Sequence, residues 1–306
     1  GAMGAPVNFG LSPSVASNAL TMAAKTEDGN NASEANPVRV PFRSSTAGDG
    51  SVTWRTITAA LSLTISSGST LGHNSGLKQY IYWYLLDNAG TVELAASSKF
   101  FGQHGIVSTT AEGGAGGADS GTVMYSGTAR TSVPFICVGY TEDTQTTAGT
   151  WAAAPSAVHL SPFTLPAISF SAHRTTNQTG IATGTDTKLQ LNVEAYDNGG
   201  LFDSATNFRW VPPPGKVELS ASIRWNVLVD AQSYAVKLFK NGAELHRVIN
   251  FASGTGGAAV PISVEDECSG TDYYELYVNQ NTGVNQDIVG AKVDTFFIGS
   301  WSPGRS

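Results

Sequence analysis

The chain is poor in charge. Lys, Arg, Asp and Glu together make up 13% of its 306 residues, against about 25% in an ordinary soluble domain. Its surface must be wetted mainly by hydroxyls, amides and backbone, a composition common in extracellular and virion β-proteins. The 17 basic side chains are outnumbered by 24 acidic ones, and the net charge is −7. Neutralising phosphates needs surplus Lys and Arg, so neither a nucleic-acid partner nor an anionic membrane is expected. Lys237 and Lys240 are the nearest approach to a basic cluster. No apolar run approaches the roughly 18 residues of a membrane span, so no membrane insertion is expected. No secretory leader is read either. Gly1-Ala2-Met3 reads as the remnant of a cleaved purification tag, and synthesis in a bacterial cytoplasm is expected.

Cysteine is as scarce as charge. Cys137 and Cys268 are the only two. Cys137 lies in the strand-like run Phe135-Ile136-Cys137-Val138, where a free thiol acts as a small hydrophobe. No disulfide framework is indicated. The groups that carry catalysis are also missing. The histidines (His73, His104, His159, His173, His246) are scattered, and no two have metal-ligand spacing. There is no Gly-x-Ser-x-Gly elbow. Glu112-Gly113-Gly114-Ala115-Gly116-Gly117 is not followed by Gly-Lys-Ser/Thr and opens no helix, so it reads as a flexible loop rather than a phosphate cradle. Glu265-Asp266-Glu267 reads as a solvated loop, because the alternating ligand spacing of a calcium loop is absent. No catalytic residue, metal or cofactor is expected.

Alternation and turns fill the rest. Val217, Leu219, Ala221, Ile223, Trp225 and Val227 alternate with Lys216, Glu218, Ser220, Ser222, Arg224 and Asn226, a period of two that marks a half-buried strand. Ile57, Ala59, Leu61, Leu63 and Ile65 alternate with hydroxyl and small residues in the same way. Tyr80-Ile81-Tyr82-Trp83-Tyr84-Leu85-Leu86 is apolar on both faces, so it is either sandwiched or half-covered by another subunit. The turn Asp87-Asn88-Ala89-Gly90 returns it as a hairpin through Thr91-Val92-Glu93-Leu94. Lys188 to Glu194 alternates with Leu189, Leu191 and Val193 inward. Tyr234 to Phe239 leads to the hairpin signal Asn241-Gly242 and a return strand from Leu245 to Ile249. Tyr273 to Gln280 places Tyr274, Leu276 and Val278 inward, and Thr295 to Trp301 closes the series. Residues 14–24 fit either a short helix or a strand of small side chains; helical signals are otherwise nearly absent. The chain is therefore expected to be all-β. Pro155, Pro162 and Pro166 stiffen a linker at 155–167, between an N-terminal β-sandwich-like domain over 4–154 and a C-terminal jelly-roll domain over 168–306.

The second domain resembles the complement C1q/tumour-necrosis-factor-like jelly roll. Phe170-Ser171-Ala172 looks like the family's first strand. Asp197-Asn198-Gly199-Gly200-Leu201-Phe202-Asp203, then Phe208, Val211-Pro212 and Gly215, look like its most recognisable block. Lys237-Leu238-Phe239-Lys240-Asn241-Gly242 resembles its central strand, and Phe296-Phe297-Ile298-Gly299 its closing one. The departures are three consecutive prolines at 212–214, Val217 and Leu219 where aromatics are usual, and the lack of a collagen stalk. The resemblance implies a tight homotrimer that binds ligand on outer loops or at the crown. The polar, Gly-rich segments 59–72, 109–123 and 145–151 resemble fibre and spike proteins of tailed phages and prophages.

These resemblances imply a non-enzymatic virion protein: a trimeric phage tail fibre, head spike or receptor-binding protein, or the equivalent on a gene transfer agent. It would adhere to bacterial surface polysaccharide and meet other virion proteins through its N-terminal domain. A structural head-fibre or decoration protein is the alternative. A glycan-cleaving spike is the third reading, since a carboxylate pair need not be close in sequence; yet phage depolymerases usually use long repetitive β-helices, and no repeat appears. Sugar recognition pairs an aromatic face with amide or acid partners. The outward face of 273–279 offers Tyr273, Glu275, Tyr277 and Asn279, and Trp210 lies beside the proline corner. These aromatics equally suit packing at a trimer contact or under loops. Trp83 and Trp225 fall on inward faces, and Trp301 is placed to plug the base of the roll.

Overall fold

The computed structural model describes residues 4–44 and 50–303; the tag remnant expected at 1–3 lies outside them. All regular elements of the described residues are strands, in two compact units: residues 4–165 with 269–271 and 303, and residues 166–268 with 272–302.

The first unit runs through β1 (Gly10–Ala16), β2 (Ala19–Lys25), β3 (Val38–Arg43), β4 (Val52–Ile57), β5 (Leu61–Ile65), β6 (Lys78–Asn88), β7 (Thr91–Ser97), β8 (His104–Ala111), β9 (Tyr125–Ser126), β10 (Arg130–Thr144) and β11 (Ala157–Leu160). Residues 14–24 are a hairpin, not a helix: Ser17 and Asn18 both take positive φ, the two-residue turn whose twist suits a strand pair. A three-stranded sheet β1-β2-β5 and the pair β3-β4 share one core with a larger sheet, β11-β10-β6-β7-β9-β8. Because β8 pairs again with β10, that sheet closes on itself, so the sandwich-like layering carries a ring of strands within it. The strand expected from Ile57 to Ile65 is broken at residues 58–60, because Ile57 pairs with β3 and Leu61 with β2.

Both faces of β6 are covered within the chain. Ile81, Trp83 and Leu85 enter the core, and the Trp83 indole donates to Thr141 Oγ1 at 3.0 Å. Tyr82 and Tyr84 meet Tyr140, Phe100 and Phe135 on the other side. The Gly-rich run at 112–117 is not a free loop. The buried Glu112 carboxylate accepts from Ser66 N (2.7 Å), Ser66 Oγ (3.0 Å), Ser69 Oγ (3.2 Å) and Gly114 N (2.9 Å), which staples two loops together. The proline-rich segment supplies β11 to the larger sheet before it leaves the unit.

The second unit comprises β12 (Ile168–His173), β13 (Gln178–Ile181), β14 (Thr187–Lys188), β15 (Val193–Asp197), β16 (Phe202–Asp203), β17 (Arg209–Trp210), β18 (Gly215–Trp225), β19 (Ser233–Lys240), β20 (Ala243–Phe251), β21 (Ala258–Cys268), β22 (Tyr274–Gln280), β23 (Gln286–Ile288) and β24 (Phe296–Ser302). One sheet has the order β13-β23-β18-β24-β12-β15, with β21 on β18; the other has β16-β17-β22-β19-β20, with β14 on β22. Antiparallel neighbours far apart in sequence, with the chain passing from sheet to sheet, make a jelly roll. Phe170, Leu219, Ile223, Trp225 and Phe297 from the first sheet meet Trp210, Tyr234, Leu238, Leu276 and Val278 from the second.

The alternation on β18 holds from Val217 to Trp225, but the strand ends there and Val227 is 52% exposed rather than inward. Lys188 to Glu194 is not one strand: only Thr187–Lys188 and Val193–Asp197 join ladders, while Leu189 and Leu191 are buried between them. The acidic run 265–267 is not a loop but part of β21, where Asp266 accepts from Tyr274 Oη at 2.6 Å and pairs with Lys240 at 2.7 Å. Both thiols are free and buried. Burial pushes Cys268 up to about 12, and Cys137 is raised for the same reason.

Candidate functional site

The outward face of the second sheet in the jelly roll gathers most of the polar and aromatic residues expected to bind. Alternation on β22 sends Tyr274, Leu276 and Val278 into the core and leaves Glu275, Tyr277 and Asn279 on the opposite face. Register then sets their neighbours. Lys188 on β14 and Lys237 on β19 stand directly across from Tyr277 on its two sides, and Ala235 stands across from Asn279. Phe239, one diagonal away, stacks on Tyr277 with ring centroids 4.2 Å apart and planes 27° from parallel.

The polar groups of this face form a matched set. The Lys188 ammonium pairs with the Glu275 carboxylate and lies 5.8 Å from the Tyr277 ring centroid. Tyr277 Oη donates to Glu275 Oε2 at 3.5 Å. Asn279 Nδ2 donates to Asp186 Oδ1 at 2.7 Å, and Lys237 Nζ reaches Asp186 at 2.8 Å and Glu244 at 2.9 Å. Burial alone would raise the Asp186 carboxyl, but its hydrogen bonds from Lys237 and Asn279 hold it below the ordinary value. Burial alone would lower Lys237, but its bonds to Asp186 and Glu244 raise it above the ordinary value. Burial and the Glu275 charge push the Tyr277 phenol up, so it stays a neutral donor. Stacking and hydrogen bonding are what such a face offers a ligand.

The expected residues divide three ways. Tyr277 and Asn279 are half-buried on this face, with their neighbour Glu275 covered to 4% exposure beneath Lys188. Tyr273 stands at the end of the row, with the Arg209 guanidinium 4.5 Å above its ring. Trp210 does not belong to the site. It is 0% exposed and packs on Phe170 at 4.8 Å between the sheets. The reason is register: Trp210 pairs with the inward-facing Tyr274 and shares its face. Trp83 and Trp225 are in the cores, and Trp301 is buried and donates to the Pro214 carbonyl at 3.3 Å. The sequence did not mark Asp186, Lys188, Lys237 or Phe239 as site residues; an outward position beside β22 is their common signal. Among the described residues, no three His, Cys, Asp or Glu side chains are grouped to hold a metal.

No family model matches the chain, and no curated protein matches it. Among solved structures, the chain is similar to murine APRIL at pH 8.0, at 10% identity over 44% of this chain and 99% of that one, with a TM-score of 0.35. It is similar to the TNF Eiger from S. frugiperda at 10% identity over 46% of this chain and 96% of that one, with a TM-score of 0.36. The globular domain of zebrafish complement 1qA is 12% identical over 45% of this chain and 99% of that one, with a TM-score of 0.34.

Proposed function

We propose that this protein is a non-enzymatic adhesin, the trimeric fibre or spike of a tailed phage or of a phage-derived particle, and that its jelly roll holds bacterial surface polysaccharide. The observation that carries this reading is the Phe239–Tyr277 stack, flanked by Lys188, Glu275 and Asn279. A half-exposed aromatic pair offers a sugar ring a flat apolar surface, and the Asn279 amide and Lys188 ammonium beside it offer hydrogen bonds to its hydroxyls. The carboxylates of this face are matched to cations, which suits binding better than proton transfer. Three such heads on one particle raise the effective concentration of a weak site. The first unit would contact other virion proteins, and the molecule would be displayed on the particle surface.

The decoration reading has its own support: Glu275 and Asn279 already spend hydrogen bonds inside the protein. Binding to intact bacterial cells separates the two. Adhesion that disappears when surface polysaccharide is stripped, and that falls about tenfold in Tyr277→Ala with the oligomer mass unchanged, supports the adhesin. Retention on the particle with no cell binding supports decoration. Release of oligosaccharide from purified capsule would overturn the non-enzymatic reading.

A further inference from the structure

The chain has six tryptophans. Five of them are buried, and Trp54 is 46% exposed. A single exposed apolar side chain is ordinary on a protein surface, so what sets Trp54 apart is the pair of arginines beside it. Trp54 lies in the first unit, on the face of the β3–β4 pair that points away from the core. Val38, Val40, Phe42 and Ile57 fill the inward face. On the outward face Trp54 lies across from Pro41, between Arg39 and Arg43. The Arg39 guanidinium is 5.7 Å from the indole centroid, at the outer limit of a cation–π contact. Arg39 and Arg43 are both exposed, and among the described residues neither has a carboxylate partner. That sets them apart from Arg55, Arg130, Arg224 and Arg247, which are all paired.

We infer that this strip is a second binding site, and that its ligand is an anionic polysaccharide carrying carboxylates, such as a polymer of uronic acids. An indole stacks on the C–H face of a pyranose, and a guanidinium takes a carboxylate with two parallel hydrogen bonds. Shape selects the polymer. Two strands of six residues present roughly 20 by 10 Å, far below the ~800 Å² per partner of a stable protein contact. A linear chain fits such a strip. Arg39 and Arg43 are four positions apart on one strand, about 13 Å, so each takes a separate carboxylate along the polymer.

Collisional quenching of the full chain's fluorescence reads this site directly, because Trp54 is its exposed indole. Oligogalacturonate is the probe, with dextran, poly-Glu and single-stranded DNA as comparisons. Oligogalacturonate is expected to protect Trp54 from acrylamide, with affinity that weakens as salt rises. Arg39→Ala/Arg43→Ala is expected to lose about tenfold or more in affinity, while the far-ultraviolet spectrum and melting temperature stay those of the parent. Trp54→Phe is expected to abolish the quenching change and to bind more weakly in calorimetry. Equal protection by dextran, protection by poly-Glu or DNA but not by the uronate, or unaltered affinity in the double variant would each overturn the assignment. The jelly-roll site is scored separately, since Tyr277→Ala leaves Trp54 and both arginines in place.

Discussion

A carboxylate's worth depends on how many donors the fold brings to it. Asp203 shows this at the end of the β16 strand. It accepts from Ala205 N (3.0 Å), Thr206 N (2.8 Å), Asn207 N (3.1 Å) and Asn207 Nδ2 (2.7 Å), and so fixes the turn that leads into β17. Burial works against the charge, but the donors outweigh it and the carboxyl is held below 3.8. A folded value below the unfolded one gives stability that is present above about pH 4 and lost as pH falls through the folded value. Asp203→Asn keeps the shape, takes fewer hydrogen bonds and does not titrate. At pH 7 it is expected to lower the urea unfolding midpoint by an amount equivalent to ~1 kcal/mol, since the site is partly solvated. At pH 3 the gap between variant and parent is expected to shrink. A gap of the same size at both pH values would mean that the charge is not what holds the turn. The Asp197–Asp203 block was visible in the sequence as a family signature, but the donor count was not, because it depends on backbone direction. Trp210 went wrong for a related reason. Its place beside three prolines said nothing about which face of a two-residue strand it occupies.

At the level of elements, strands with a clean alternation were legible; β21, eleven residues long, was missed because its acidic end read as a loop, and the two-residue strands were missed altogether. β18 holds its period over eleven residues, and one register satisfies every apolar side chain. β14, β16 and β17 have two residues each, too few for any period. The broken strand at 58–60 kept its alternation although its two halves serve different sheets, so periodicity alone could not reveal the break. The closing strand β24 shows a constraint of another kind. Gly299 lies where β24 crosses the aromatic core, and a Cβ there would be 2.6 Å from Phe170 Cε1 and 3.0 Å from both Trp210 and Leu219. The rings on that side are themselves packed, Phe170 on Phe202 at 4.8 Å and on Phe297 at 5.0 Å. Gly299→Ala is therefore expected to destabilise the second unit by ~1–3 kcal/mol through overpacking, read as a lowered melting temperature. A melting temperature equal to the parent's would show that the aromatic cluster can give way. The glycine had been visible only as part of a closing-strand resemblance; its steric reason appears once Trp210 is known to point inward.

At the scale of the molecule, the jelly roll leaves two long edges open. Among the described residues, β20 pairs with β19 alone and β21 with β18 alone. Edge strands invite pairing, and proteins guard them with proline and charge. β21 is guarded by Pro261 and by Glu265 to Glu267, but the last residues of β20 are not: Ile249 is 45% and Phe251 72% exposed. Beside that edge, His246 and Val248 of β20 itself join Ser220, Ser222, Pro261, Phe296 and Ile298 of the other sheet in lining a shallow groove of about 500 Å³. An edge on one copy meeting a face on the next is a head-to-tail contact, and such contacts close only when the rotation permits. A three-fold ring is the closure proposed here. It would cover the apolar end of β20 without extending either sheet indefinitely. If so, assembly and folding are linked, and the melting temperature must rise with protein concentration. Ile249→Lys, which changes only an exposed side chain, is expected to sediment as a folded single chain at micromolar concentration, and the parent is expected to sediment as three. Its melting temperature is expected to be lower and independent of concentration. A parent that is well folded and solitary at that concentration would remove the trimer, and with it the avidity on which weak sugar binding depends.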